Sequence, residues 1–257
     1  EVAVYEAQTK YPEVKFILLD GAPHTADYAT FKTEDNVASI LYAEEQAGYL
    51  AGYAAVKDGY KKLGFMGGIA VPAVVRFGYG FVQGADAAAK EMKITDAAIN
   101  YTYVGNFDAS PENQAIAASW FSEGTEVIFG CGGGVGNSVM KAAEAKGAKV
   151  IGVDVDQSAE SKTVITSAMK NLGKAVYDTI ATVYDDKFEG GVMVTLDASV
   201  EGIQLPMDTS NFKTFTQKDY DALFAKLVDG SIKVQKDDAV ASADKLAVET
   251  IKVNVVK

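Results

Sequence analysis

The sequence predicts an open α/β fold with mainly parallel sheets. Short, nearly continuous apolar runs rich in Val, Ile and Phe alternate with segments of helical periodicity. Such runs are typical of parallel strands that are covered on both faces. Strand–helix alternation also favours right-handed crossovers between neighbouring parallel strands. With 257 residues, the chain is long enough for one large domain or two small lobes.

Six apolar runs are predicted as buried strands, at 14–20, 36–42, 62–68, 99–105, 125–131 and 149–155. Helices are predicted in AEEQAGYLAGYAAVKDG, VRFGYGFVQGADAAAKEM, SPENQAIAASWFSEG and VGNSVMKAAEAKG. Ser110 is a good N-cap with Pro111 in the first turn, and Gly124 and Gly147 fall where C-terminal caps belong.

The pattern changes after residue 160. TVITSAMK is followed by a predicted helix in NLGKAVYDTIATVYDDKFEGG, by two close strands in VMVTLD and GIQLPM, and by a helix in TQKDYDALFAKLVDGSI. The last residues, from Gln235, are polar and then locally strand-like, and no role is assigned to them.

The first residues indicate a helix that runs straight into a strand, so we expect the natural protein to start earlier. A missing targeting sequence is then no evidence for a cytoplasmic location.

Composition argues against several classes of function. The net charge of −11, without a cluster of Lys and Arg, disfavours binding to nucleic acids or anionic membranes. No apolar run approaches the length of a membrane span. The single cysteine, Cys131, permits no internal disulfide and is expected to be a small buried residue. The single histidine, His24, supports neither a His-based metal site nor a catalytic triad.

One glycine cluster resembles part of a dinucleotide site. Gly130, Gly132 and Gly136 follow an apolar run, and Asp154 ends the next one, 154 − 130 = 24 residues later. However, in dinucleotide-binding domains the glycines belong to the first βα unit, and here at least three strands precede them. An NAD-dependent enzyme is therefore a weak alternative. Ligands of open α/β sheets still bind at the carboxyl ends of the strands, which predicts a site for another ligand there.

The order of several motifs resembles the basic-membrane-protein family. These motifs are NVASILYAEEQAGYLAGYAA, KLGFMGGIAVPAVVRFGYGFVQGA, YVGNFDASPENQAIA, VIFGCGGGVGNSV, VIGVDVDQ and TSAMKNLGKAVYDTI. The resemblance extends over about residues 1–235. It implies a purine-nucleoside receptor lipoprotein of an ABC importer with the type I periplasmic-binding-protein architecture. It also implies a further βαβ stretch ahead of residue 1, so that the first lobe is incomplete here at its N-terminus.

The same resemblance implies two Rossmann-like lobes that close over the ligand. The expected boundaries are 1–42 with 169–200 for the first lobe, and 43–168 with 201–257 for the second. Expected partners are a small-molecule nucleoside and the ABC permease. The expected location is outside the cytoplasm, with contact to the membrane only through a lipid anchor that lies outside this sequence. No cofactor, no catalytic residue and no metal are expected; Asp154 and Asp156 lack the other ligands of a calcium loop.

Four residues are expected to hold the sugar or the backbone around it. A carboxylate at Asp154 could accept two hydrogen bonds from vicinal hydroxyls, although a loop aspartate is the alternative. Lys170 matches a basic position that reaches the ribose in the family, and a solvated lysine is equally compatible. Gly132 and Gly133 would let the backbone lie against the ligand, or serve only as turn residues.

Four further candidates surround the predicted base and ribose. Phe107 begins a loop that faces the ligand in the resembling proteins and could stack on a purine. Phe77 is a second stacking candidate, or a core residue. Arg76 could donate to a ribose oxygen, or pair with an acid. Asp20 could accept from a purine N–H, or cap its strand. A receptor of the same fold for a sugar, riboflavin or a signalling molecule is the alternative function.

Overall fold

The structure is a computed structural model that describes residues 1–256. These residues form seven α-helices, α1 to α7, at Val2–Lys10, Glu44–Lys57, Pro72–Glu91, Pro111–Ser122, Gly134–Lys146, Leu172–Tyr184 and Gln217–Val228. They also form ten strands, β1 to β10, at Phe16–Leu19, Val37–Tyr42, Lys62–Gly67, Ala98–Tyr103, Val127–Cys131, Lys149–Asp154, Val164–Lys170, Val192–Leu196, Ile203–Gln204 and Lys252–Val255. The predicted α/β fold with mainly parallel sheets is confirmed.

The described chain divides into two compact units. The first unit contains Glu1–Ala43 and Asn171–Gly202, and the second contains Glu44–Lys170 and the residues from Ile203 onwards. In the first unit, β1, β2 and β8 form a parallel sheet in the order β1-β2-β8. The central strand β2 is largely buried, whereas Val192, Met193 and Val194 on β8 are exposed.

The second unit is built on a seven-stranded sheet in the order β10-β4-β3-β5-β6-β7-β9. All neighbouring strands are parallel except β7 and β9, which are antiparallel. Ile128 and Phe129 are consecutive residues of β5, so their side chains point to opposite faces of the sheet, and both are buried. Phe129 meets Phe77 and Phe81 of α3 at ring distances of 5.9 and 5.4 Å. Ile128 belongs to a cluster with Trp120 of α4, so both faces of the strand are covered, as its continuous apolar run predicts.

Helix α3 packs very closely against helix α2 in the second unit. The contact surfaces carry two glycine pairs four residues apart, Gly48 and Gly52 on α2 and Gly80 and Gly84 on α3. A Cβ atom on any of the four would lie 1.9–2.1 Å from a backbone oxygen of the other helix. The two backbones are therefore in direct contact, with no side chain between them.

The predicted start of α4 is confirmed. Ser110 is the N-cap, its Oγ accepts a hydrogen bond from the Asn113 N–H at 3.1 Å, and Pro111 is in the first turn. We expect Ser110→Ala to lower the free energy of unfolding by about 1 kcal/mol because an N–H of the first turn loses its acceptor. Urea unfolding measures this change. Ser122→Ala is the control at the other end of α4: its hydroxyl only bonds back to the Ala118 carbonyl. Equal stability losses in both variants would contradict the capping role.

One part of the later sequence differs from the prediction. GIQLPM forms a strand only at Ile203–Gln204, because Pro206 lacks the N–H that a longer ladder would use. The C-terminal segment, to which no role was assigned, ends in the edge strand β10 beside β4. Buried Asp86 holds this segment, since its Oδ1 accepts hydrogen bonds from the N–H groups of Thr250 and Ile251 at 2.7 and 2.9 Å.

Candidate ligand-binding site

The candidate site lies at the carboxyl edge of the sheet in the second unit. Cys131, Asp154 and Lys170 end the neighbouring strands β5, β6 and β7. Because parallel strands end at the same edge, the sequence-predicted pair Asp154 and Lys170 comes together there. Glu44, the first residue of α2, and Arg76, the fifth residue of α3, belong to the same cluster.

Five charged side chains form a continuous series of ion pairs. The Lys170 Nζ lies 3.2 Å from Asp154 Oδ1 and 3.4 Å from Glu44 Oε1. The other oxygen of Glu44 accepts a hydrogen bond from Arg76 Nε at 2.6 Å. Arg76 also donates from a terminal nitrogen to Asp237 Oδ1 at 3.3 Å. Acids and bases therefore alternate from Asp154 to Asp237, with three negative and two positive groups.

The interior of this series is dry, but its Asp154 end is open. The side chains of Lys170 and Glu44 are only 4% and 1% exposed, whereas that of Asp154 is 44% exposed. Asp154 Oδ1 is itself buried and faces the ammonium of Lys170 without the geometry of a hydrogen bond, so the open side of this carboxylate is that of its other oxygen. This carboxylate therefore keeps hydrogen-bonding capacity, and a hydroxyl donor could reach it from the exposed side.

The backbone at Asp154 turns sharply as the strand ends. Its φ is 64°, in the left-handed region that aspartate and asparagine tolerate better than most residues. Asp20 has the same conformation, with φ of 61°, at the end of β1 in the first unit. Both aspartates are at strand ends, as predicted, and Asp20 is exposed in its own unit.

Phe107 and the two candidate glycines form a second part of the edge. The Phe107 ring lies over Gly68 and Gly132, because a Cβ on either residue would approach its Cδ1 to 2.3 or 2.9 Å. Gly132 and Gly133 have φ values of 146° and 49°, which other residues rarely adopt. The Phe107 carbonyl accepts a hydrogen bond from Gly134 N–H, and the ring is 40% exposed. An aromatic face is thus held at the edge with space beside it.

The loop that carries Phe107 is fixed by its own polar groups. Asn113 donates hydrogen bonds to Asn106 Oδ1 and to the Asp108 carbonyl at 3.0 and 2.9 Å. The Ser138 hydroxyl accepts a hydrogen bond from Ser110 N–H at 3.0 Å. Asn106, which follows the end of β4, therefore helps to hold this loop in place through its side chain.

Phe77 and Arg76 take different places from the ones predicted for direct ligand contacts. Phe77 is 2% exposed and packs edge-on against Phe129, so its ring has no open face for a base. It lies instead 5.4 Å below the Lys170 ammonium as a cation–π partner. Burial lowers the pKa of Arg76, but the hydrogen bond and charge of Glu44 outweigh burial and raise it. Its guanidinium is therefore firmly charged and engaged with two acids.

Several other polar groups at this edge do not form a reactive site. Cys131 is buried, as expected, and its pKa is raised well above the usual value by burial and by the charge of Asp154. Asp156 accepts hydrogen bonds from Ser158 N–H and the Thr209 hydroxyl, which gives it a structural role. Among residues 1–256, no His, Cys, Asp and Glu side chains cluster in a way that could hold a metal ion.

Sequence reasoning missed Glu44 and Asp237 as members of this cluster. Glu44 and Glu45 are two consecutive carboxylates at the start of an otherwise apolar helix, and both are buried. That pattern was a usable signal, since buried acids are rare without a charged partner. Asp237 lies in the C-terminal segment and had no such signal.

None of the helices in the described chain is long and apolar enough to cross a membrane.

Comparison with known proteins identifies the class. A family model described as "ABC transporter substrate-binding protein PnrA-like" matches residues 2–238. The chain therefore belongs to this family of ABC transporter substrate-binding proteins, which are binding proteins rather than enzymes and work outside the cytoplasm. This confirms the resemblance on which the expected fold depends.

Two curated relatives illustrate the match in sequence. The chain is 30% identical over 253 residues to the ABC transporter nucleoside-binding protein BmpA of Lactococcus lactis, covering 90% of this chain and 67% of that protein. It is 35% identical over 179 residues to basic membrane protein B of Borreliella burgdorferi, covering 67% of this chain and 51% of that protein. The chain thus spans about two thirds or less of the length of these relatives.

Solved structures support the fold. An ABC transporter solute-binding protein from Aeropyrum pernix K1 superposes with a TM-score of 0.71 at 25% identity, covering 91% of this chain and 74% of that one. One from Conexibacter woesei has the same TM-score at 24% identity, covering 91% and 75%. Both similarities agree with the predicted periplasmic-binding-protein architecture.

Proposed function

We propose that the protein captures a nucleoside, with purine nucleosides as the preferred class, and presents it to the permease of an ABC importer. The observation that carries the proposal is the Asp154–Lys170 pair at adjacent strand ends, with one face of the carboxylate open. A ribose offers vicinal hydroxyls that such a pair can bind, because the carboxylate accepts and the ammonium donates. The Lactococcus relative is described as a nucleoside-binding protein, which supports the same ligand class.

The base would lie against Phe107 in this proposal. The ring is held in place by its loop and is partly exposed, so a flat base can replace water on its free face. Gly132 and Gly133 let the backbone lie against Phe107, because a Cβ on them would approach the Phe107 ring and carbonyl oxygen to 2.9 and 3.2 Å. Asp20 is proposed to accept from the base and belongs to the first unit. Closure of two lobes, a lipid anchor and the contact with the permease stay predictions.

A thermal-shift screen tests the ligand class. The purified protein is heated with inosine, guanosine, ribose, riboflavin and NADH, each at the same concentration. Binding to the folded state raises the midpoint in proportion to the logarithm of ligand concentration over Kd. We expect the largest shift with a purine nucleoside. A shift with ribose or riboflavin alone would favour a sugar or flavin receptor, and a shift with NADH alone would favour a dinucleotide protein.

Replacing the exposed aromatic ring separates the base from the sugar. We expect Phe107→Ala to weaken inosine binding by about 1 kcal/mol, at the low end for stacking because the ring is partly exposed. The affinity for free ribose should change little, since ribose has no base to stack. Calorimetry with both ligands measures the difference. Equal losses for inosine and ribose would contradict stacking at Phe107.

A further inference from the structure

Glu44 lies between the two cations of the charged series and touches both. One carboxylate oxygen accepts from Arg76 at 2.6 Å, and the other lies 3.4 Å from the ammonium of Lys170. The side chain is 1% exposed. Glu44 therefore has no route to a ligand of its own, and whatever it does for binding must act through its neighbours.

The geometry points to Glu44 as a positioning residue: we propose that it holds the Lys170 ammonium at a fixed point beside Asp154, and so sets the affinity for ribose hydroxyls. This inference rests on the proposed nucleoside function. Glu44 does not contact the ligand, and it lies at the start of a helix rather than at the end of a strand.

A lysine needs such a partner at this position. Its ammonium is a compact charge on a flexible stem of four carbons, which does not fix its own direction. Here the Nζ has carboxylate oxygens of Asp154 and Glu44 at 3.2 and 3.4 Å, and the Phe77 ring at 5.4 Å. Two similar attractions from different directions hold the ammonium between the acids, rather than against one of them.

Because Lys170 contacts both Glu44 and Asp154, a change at Glu44 also affects the surroundings of Asp154. With Glu44 neutralised, the ammonium would lose one of the charges that hold it beside Asp154. Its N–H donors would then no longer be fixed at the point where a ribose hydroxyl could accept from them. Arg76 contributes by fixing Glu44, and Asp237 holds Arg76 from the other side. The first turn of α2 also suits an anionic residue, because of the helix dipole.

The next residue, Glu45, provides a matched control. It is in the same turn of α2, is also almost completely buried, and faces one lysine, Lys236, at 3.6 Å. Burial raises the pKa of Glu45. No contact joins it to Lys170 in the described chain. Glu45 also interacts through its charge with Glu44 and Arg76. Glu45→Gln nevertheless removes a buried carboxylate from the same helix turn and leaves both Glu44 and Asp154 beside Lys170.

The test is a calorimetric titration of inosine and 2′,3′-dideoxyinosine into wild-type protein, Glu44→Gln and Glu45→Gln, with the melting temperature of each variant recorded. We expect Glu44→Gln to bind inosine about tenfold more weakly and dideoxyinosine almost as well as wild type does. Glu45→Gln should bind both ligands as wild type does. Equal inosine affinity in all three proteins would overturn the inference, as would an equal loss for both ligands in Glu44→Gln.

A double-mutant cycle with Lys170→Met shows whether Glu44 acts through the lysine. In that background, Glu44→Gln should cause no further loss of inosine affinity, whereas additive losses would contradict the inference. If Glu44→Gln does not fold, Glu44→Asp replaces it: the shorter acid keeps the charge but retracts from Lys170, and unchanged inosine affinity would then overturn the inference. Wild-type protein that binds no nucleoside would instead reject the proposed function itself.

Discussion

Asp154→Ala should weaken inosine binding by about 1–3 kcal/mol, or about 5- to 150-fold in Kd. The variant removes the acceptor for two ribose hydroxyls and leaves the ion pair between Lys170 and Glu44 in place. Because Asp154 is partly exposed, the strand that carries it should stay intact. Calorimetry with inosine measures the loss, and 2′,3′-dideoxyinosine, which lacks the hydroxyls, should lose little or nothing.

The matched control is Asp156→Ala, two residues further along the chain. Asp156 bonds to Ser158 and Thr209 within its loop, so the variant should lose stability but keep inosine affinity. If Asp154→Ala bound inosine as tightly as wild type, Asp154 would not belong to the ligand site. If both variants lost affinity equally, the loop rather than the carboxylate would be responsible.

Gly48→Ala should reduce the free energy of unfolding by about 3 kcal/mol. The new Cβ would lie 2.1 Å from the Phe77 carbonyl oxygen, far inside van der Waals contact. The obstacle is the backbone of a helix, not a flexible side chain, so α2 and α3 must move apart. The shift would also disturb Phe77 and Arg76 at the start of α3. The midpoint of urea unfolding measures the change.

Gly173→Ala is the control for helix propensity. Gly173 is also in a helix, α6, but nothing lies within 4 Å of where its Cβ would be. This variant should be neutral or more stable by about 0.5 kcal/mol, because alanine reduces the entropy of the unfolded chain. A Gly48→Ala protein as stable as the wild type would show that α2 and α3 do not pack as closely as described.

The sequence predicted the parts of the fold that local patterns determine. The apolar runs that became β3, β5 and β6 need cover on both faces, and a parallel sheet is the arrangement that provides it. Ser110 with Pro111, and Gly147 with φ of 67° at the end of α5, follow from capping chemistry alone. The close contact of α2 and α3 was not predicted, although each helix carries a pair of glycines four residues apart. A local sequence pattern does not show which other helix such a pair will pack against.

The site was predictable where strand ends determine it and unpredictable where distant segments meet. Asp154 and Lys170 end neighbouring strands, so their proximity follows from the sheet. Glu44 joins them only because α2 begins at the same edge, and Asp237 only because the C-terminal segment folds back over α3. Phe77 was a second stacking candidate with a core position as the alternative, and its ring is in the core against Phe129.

The most direct test of the central claim is a calorimetric titration of the purified protein with inosine, followed by competition with ribose and with riboflavin. We predict saturable binding of one inosine per chain, with a Kd near micromolar, which corresponds to a binding free energy of about 8 kcal/mol. Ribose and riboflavin should displace it only at far higher concentration. No heat with inosine, together with tight binding of ribose or riboflavin, would contradict the account.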